Sequence, residues 1–190
     1  KEYKFNVNSE LLRPYFELSR VLNAVFNLST RLYGISFVRN RDLPVYHEDV
    51  EAYEVYDEDG TFLALLYCDF YSRPSKKPGA WMTMFKEQWM DDEMCDSRPH
   101  VSIVMNFAKP TSEIPSLLSL EEVETLLHEF GHSLHAMFSK VKYRSLSCTN
   151  VLWDFVELPS QIMENYSVEP DFLKTFARHY QTGELLSDEI

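Results

Sequence analysis

The sequence predicts an α+β fold, predominantly helical, with a small antiparallel sheet. Three observations predict it. A helical repeat of apolar residues opens the chain, a block of strand-like segments follows, and helical spacing returns near residue 119. Helix, strands, then helices is the segregated order of α+β architectures.

Residues 9 to 33 read as a helix, because Leu11, Leu12, Tyr15, Leu18, Leu22, Val25, Phe26 and Leu32 recur at three- and four-residue spacing. Pro14 suits a first turn, and Gly34 supplies a stop. Ile35 to Val38, Ala52 to Tyr56 and Phe62 to Tyr67 have strand character, and Asp57-Glu58-Asp59-Gly60 joins the last two as a hairpin turn. Residues 72 to 80 form a loop, Trp81 to Phe85 a short strand, 88 to 99 an acidic turn-like segment, and Val101 to Phe107 a further strand. Ser119 and Glu122 have capping-box spacing, opening a helix that runs to about Ser139. Further helices are expected near 154 to 166 and 171 to 182. No internal repeat or low-complexity tract is present.

The chain has 190 residues, 45% hydrophobic and 25% charged, which suffices for one core. No apolar run approaches the roughly 18 residues of a membrane helix. Eighteen basic residues against 30 acidic give a net charge of −12, which argues against a nucleic-acid partner. Only 5 glycines and 14% aromatic residues argue against disorder. The opening Lys1-Glu2-Tyr3-Lys4-Phe5 lacks the features of a signal peptide, so a processed protein or an internal piece is expected. Cys68, Cys95 and Cys148 are odd in number and lack CxxC spacing. They imply no disulfide framework and no thiolate zinc site, and they point to a reducing compartment, the cytoplasm.

The chemistry concentrates at His128-Glu129-Phe130-Gly131-His132, an H-E-x-x-H pattern. A shuffled chain of this composition carries it about 2% of the time. On a helix, residues i and i+4 share a face, so both imidazoles can reach one ion. Neutral imidazole suits zinc. Glu129 is rotated about 100° from His128, so it can stand beside the metal and hold an activated water without ligating. A catalytic zinc needs a third protein ligand. The metzincin pattern fails, because Phe138 occupies the position of the third His. A carboxylate from a second helix remains, and Glu157 and Glu164 are the candidates. Asp154 shares a face with Glu157, and one of that pair could ligate while the other orients a ligand histidine. Spacing does not choose between Glu157 and Glu164. His135, His47, His100 and His179 read as ordinary packing or surface residues. The segment Gly79 to Met82 reads equally as a plain strand start or as a sheet edge open to a peptide.

Thr125 to His135, together with Ser147-Cys148-Thr149-Asn150-Val151-Leu152-Trp153-Asp154-Phe155-Val156-Glu157-Leu158-Pro159-Ser160-Gln161, resembles the thimet-oligopeptidase family of zinc metallopeptidases. Arg13 to Leu18, Leu43 to His47, Asp69 to Arg73, Gly79 to Met82 and Ala177 to Gln181 resemble its bacterial dipeptidyl carboxypeptidase branch. The resemblance implies a partial zincin-like catalytic domain over 1 to 190, holding one zinc ion per chain through His128, His132 and Glu157, with Glu129 as general base. It implies short peptides as substrates and release of C-terminal dipeptides; the charge balance and the lack of a long apolar run separately point to no nucleic-acid and no membrane partner. It also implies missing N- and C-terminal parts of the same catalytic domain. The groups that bind the oxyanion would lie in those parts, so the fragment is expected to bind zinc yet be weakly active or inactive. The alternative is a non-catalytic helical module with a structural or vestigial metal site. One departure stands out: Cys148 replaces a glycine of the family pattern, which matters if that loop needs a positive φ.

Overall fold

The computed structural model describes residues 9–187. Its helices are α1 (Ser9–Leu12), α2 (Leu18–Tyr33), α3 (Leu120–Met137), α4 (Trp153–Val156), α5 (Leu158–Glu164) and α6 (Pro170–Phe176). Its strands are β1 (Ser36–Arg39), β2 (Glu51–Tyr56), β3 (Phe62–Tyr71), β4 (Trp81–Lys86), β5 (Trp89–Met90), β6 (Asp96–Ser97) and β7 (His100–Phe107). Short 3₁₀ turns occupy Arg13–Tyr15, Arg144–Leu146 and Asn165–Val168. The α+β expectation holds, with more helix than strand.

The sheet is mixed rather than antiparallel. Five strands run in the order β1-β2-β3-β7-β4, and β5 pairs with β6 in a separate ribbon. β1, β2 and β3 are successive antiparallel neighbours, but β3 and β7 are parallel, with Leu66 opposite Val101 and Cys68 opposite Ile103. A parallel pair needs a long crossover, and residues 72–99 supply it. Strand patterning shows only which segments are strands, and the hairpin signal at 57–60 reports only its own pair. β4 closes the sheet as an antiparallel edge on β7, with Met82 opposite Ile103.

β3 is buried on both faces, as a central strand must be. One face, with Ala64, Leu66, Cys68 and Phe70 beside Val101, Ile103 and Met105, packs under α2 and α3. There Phe26 stacks on Phe37, and Phe130 from α3 closes on both rings. The other face, with Ala52, Leu65 and Tyr67, is covered by Val50 and Leu43 from the loop before β2.

The expected helix over 9–33 is broken. Pro14 sits in a 3₁₀ turn, and Phe16 leaves the helix to pair its backbone with 116–118. Leu18 N donates to Ser116 O at 2.9 Å, and Leu118 N to Phe16 O at 2.8 Å. The helix then restarts and ends at Gly34, whose φ of 75° fits the predicted stop. The expected helix over 154–166 splits at Glu157, because Pro159 opens a new first turn. The expected helix over 171–182 stops at Phe176, where the backbone turns to pair with 184–186. The acidic segment 88–99 holds the β5–β6 ribbon around a turn at Met94. The capping box forms as read. Glu122 N donates to Ser119 Oγ at 3.1 Å, and Ser119 N donates to Glu122 Oε2 at 2.7 Å.

Cys148 lies in the loop between α3 and α4 with φ +57°, buried at 2% exposure. Its N–H donates to Ser139 Oγ at 2.9 Å, which fixes the loop in that conformation. The left-handed region costs an L-residue about 1–2 kcal/mol, and glycine escapes that cost. Cys148→Gly and Cys148→Ala both delete the thiol, so their difference isolates the backbone term. The glycine variant is expected to be about 1 kcal/mol more stable than the alanine variant in urea unfolding. Equal stabilities would refute the strain.

Candidate metal centre

α3 and α5 build the site together. α3 sets His128 and His132 one turn apart, with ring centroids 4.8 Å apart and planes at 86°. α5 lies against α3 at Gly131. A Cβ there would fall 2.6 Å from both Pro159 O and Ser160 Cα, so only glycine permits this approach. The approach brings Glu157, at the α4–α5 junction, over both imidazoles. Glu157 Oε2 is 3.1 Å from His132 Nε2 and 3.4 Å from His128 Nε2.

Donor atoms of His128, His132 and Glu157 all lie within 4.8 Å of one another, the only such group of three among the described residues. Two ligands about 2.1 Å from a tetrahedral ion stand about 3.4 Å apart. The observed spacings and the two-imidazole, one-carboxylate donor set therefore fit a borderline dication such as zinc.

The carboxylates are oriented from behind. Ser160 Oγ donates to Glu157 Oε2 and to Glu157 O, each at 2.8 Å. Glu164 Oε1 lies 2.6 Å from His128 Nδ1, which leaves Nε2 turned toward Glu157. So the two glutamates that spacing left open divide the work: Glu157 faces both histidines, and Glu164 holds one of them. Asp154, read as the other orienting candidate, is exposed on α4 and joins neither contact. Sequence reasoning missed Ser160 and the close approach at Gly131. The Glu-x-x-Ser spacing from Glu157 to Ser160 is the signal that could have shown the first. Removing such an outer partner typically weakens metal binding by about 10- to 100-fold. Glu164→Ala is expected to do so, read by competition with a chromophoric chelator. Unchanged affinity would mean that packing alone holds His128.

Glu129 is 7% exposed. Burial raises its carboxyl above the ordinary range. The Glu157 charge adds to this, while the His128 ring and a hydrogen bond from the Met82 backbone oppose it. Burial also lowers His132, which favours the neutral ring a metal requires. His135 is likewise lowered by burial, and it sits edge-on to Phe155 with centroids 5.8 Å apart, outside the cluster. His47, His100 and His179 are also outside it. The segment Gly79 to Met82 does lead into an edge strand, and Met82 stands beside Glu129.

The sequence profile of Peptidase family M3 matches residues 1–190, the whole chain. The chain belongs to peptidase family M3. It is 46% identical to dipeptidyl carboxypeptidase of Escherichia coli K12 over 98% of its own length and 27% of that relative. It is 38% identical to oligopeptidase A of the same organism, over 100% of this chain and 28% of the relative. A probable cytosolic oligopeptidase A of Arabidopsis thaliana is 42% identical over the same shares. The M3 chain thus spans little more than a quarter of the length of these relatives. None of its described helices is long and apolar enough to cross a membrane.

Proposed function

We propose that the chain carries the zinc centre of a peptide-hydrolysing enzyme. His128, His132 and Glu157 would hold the ion, and Glu129 would act as general base. The observation that carries this is Glu157 Oε2, poised 3.1 and 3.4 Å from the two Nε2 atoms, with buried Glu129 on the same helix. Zinc, when bound, supplies a Lewis acid for the scissile carbonyl and lowers the pKa of water toward neutrality.

The rest is done by the chain's own side chains. Glu129 takes the proton of the attacking water and passes it to the leaving amine. Its raised carboxyl sits closer to neutral pH, where a base both accepts and returns a proton efficiently. Ser160 and Glu164 hold their partners in place before substrate arrives. A peptide adding to the free edge of β4 would run past Met82, and so past Glu129. The similarity to dipeptidyl carboxypeptidase supports release of C-terminal dipeptides from short peptides as the activity of the whole enzyme. Because the chain spans 27% of that relative, its own activity is expected to be weak or undetectable. The odd number and wide spacing of Cys68, Cys95 and Cys148, with the similarity to a probable cytosolic oligopeptidase A, support the cytoplasm as the setting.

The test is the zinc content of the purified chain after dialysis. Near one zinc per chain is expected for the native sequence and for Glu129→Gln, and none for His128→Ala. A folded native chain without zinc, or zinc retained by His128→Ala, would overturn the assignment.

A further inference from the structure

We propose that Asn106, backed by the buried Asp69–Arg73–Lys76 cluster, is a positioning device that sets the free edge of β4 for a peptide main chain. This rests on the zinc-peptidase reading above.

The topology creates the need. β4 follows β3 in sequence but pairs with β7, so the connection 72–80 must pass the end of β7 and deliver β4 to the far side. A nine-residue connection to an edge strand would ordinarily be mobile. Here it is tied at both ends.

At the β3 end, Asp69 is 1% exposed and accepts side-chain hydrogen bonds from three residues. Arg73 donates to both its oxygens, at 2.7 and 2.8 Å. Lys76 Nζ, with its side chain 2% exposed, donates to Oδ1 at 3.0 Å, and Tyr46 OH donates to Oδ2 at 2.8 Å. Lys76 also reaches Asp69 O and Tyr71 O, at 2.8 and 2.9 Å. One buried carboxylate with two cations is costly to assemble and rigid once made.

At the β4 end, the Asn106 amide donates to Lys77 O at 2.8 Å and to Gly79 O at 2.7 Å. Those carbonyls flank the turn in which Gly79 takes φ +97°. Two residues further on, β4 begins, and its second residue, Met82, meets Glu129. The clamp therefore sets how far the strand edge stands from the general base. None of its residues joins the group of ligand-type donors. It acts on the site through the β4 backbone.

The experiment compares two probes on the zinc-loaded chain. Acetohydroxamate engages only the metal. A tripeptide hydroxamate adds a main chain that can pair with β4. In the native chain the tripeptide form is expected to bind at least about tenfold more tightly, the worth of one or two added hydrogen bonds. Asn106→Asp keeps the shape but loses both donated bonds, and Asn106→Ala removes them without adding charge. Both are expected to erase the tenfold gain while zinc content and acetohydroxamate affinity stay unchanged and the chain remains folded. A gain that survives both variants would overturn the proposal, and so would a native chain that binds the two probes equally. Failure of the native chain to hold zinc or acetohydroxamate would instead refute the zinc reading itself, and this inference with it.

Discussion

Gly131→Ala is expected to dismantle the proposed metal centre while leaving both histidines on their helix. The added methyl would lie 2.6 Å from Pro159 O and Ser160 Cα, both backbone atoms of α5 that no rotamer change can move aside. α5 must retreat as a unit, and Glu157 at its start goes with it. Overpacking of this kind costs about 1–3 kcal/mol. The larger effect falls on the metal. A carboxylate displaced from two imidazoles leaves a two-ligand site, and zinc affinity is expected to fall by about 100-fold or more. Helicity should be nearly unchanged, since alanine is the better helix former. Zinc titration beside circular dichroism reads both effects. Native zinc affinity in Gly131→Ala would show that α5 does not depend on that contact.

Phe130→Ala will instead strike the fold. Phe130 is fully buried and touches Phe26 and Phe37, the rings that join α2 to the sheet. Truncating such a residue costs about 3–5 kcal/mol, a large share of a small domain's stability. His128 and His132 stay on the same helix face, so under the proposed assignment the folded fraction should still bind zinc. Saturating zinc at about 100 times its dissociation constant would then return about 2.7 kcal/mol. Gly131→Ala should gain little from the same addition. Urea unfolding with and without zinc separates the two variants, and equal rescue would contradict this division of roles. The two middle positions of H-E-x-x-H thus serve structure, one packing α3 on the sheet and the other admitting α5.

Local signals in the sequence were sound and long-range ones were silent. Ser119, Glu122 and Gly34 work within one turn of themselves, and their cap and stop stand as read. His128, Glu129 and His132 share a helix, so their geometry followed from helical period alone. The split at Glu157 answers Pro159 within its own turn, but the departures that shape the sheet and the site concern partners distant in sequence. The break at Phe16 answers a backbone pairing with residues 116–118. The parallel β3–β7 pair joins segments with one strand and a ribbon between them. Which glutamate faces both histidines depends on how closely α5 approaches α3, and that rests on the one missing Cβ at Gly131. Spacing arguments carry no information about such an approach.

The strand order also dictates a sequence of events during synthesis. A chain emerging from its N-terminus completes β4 before β7 exists, yet β4 has no other strand to pair with in the five-stranded sheet. Trp81, Met82, Met84 and Phe85 must therefore wait without a sheet partner while the β5–β6 ribbon and β7 are made. Unpaired apolar strands are where nascent chains stick to one another. The short ribbon and its acidic turn at Asp91, Asp92 and Glu93 fill that interval with charge rather than with a competing strand. The edge best placed to receive a peptide is thus the one most exposed, early in the life of the chain, to receiving the wrong one.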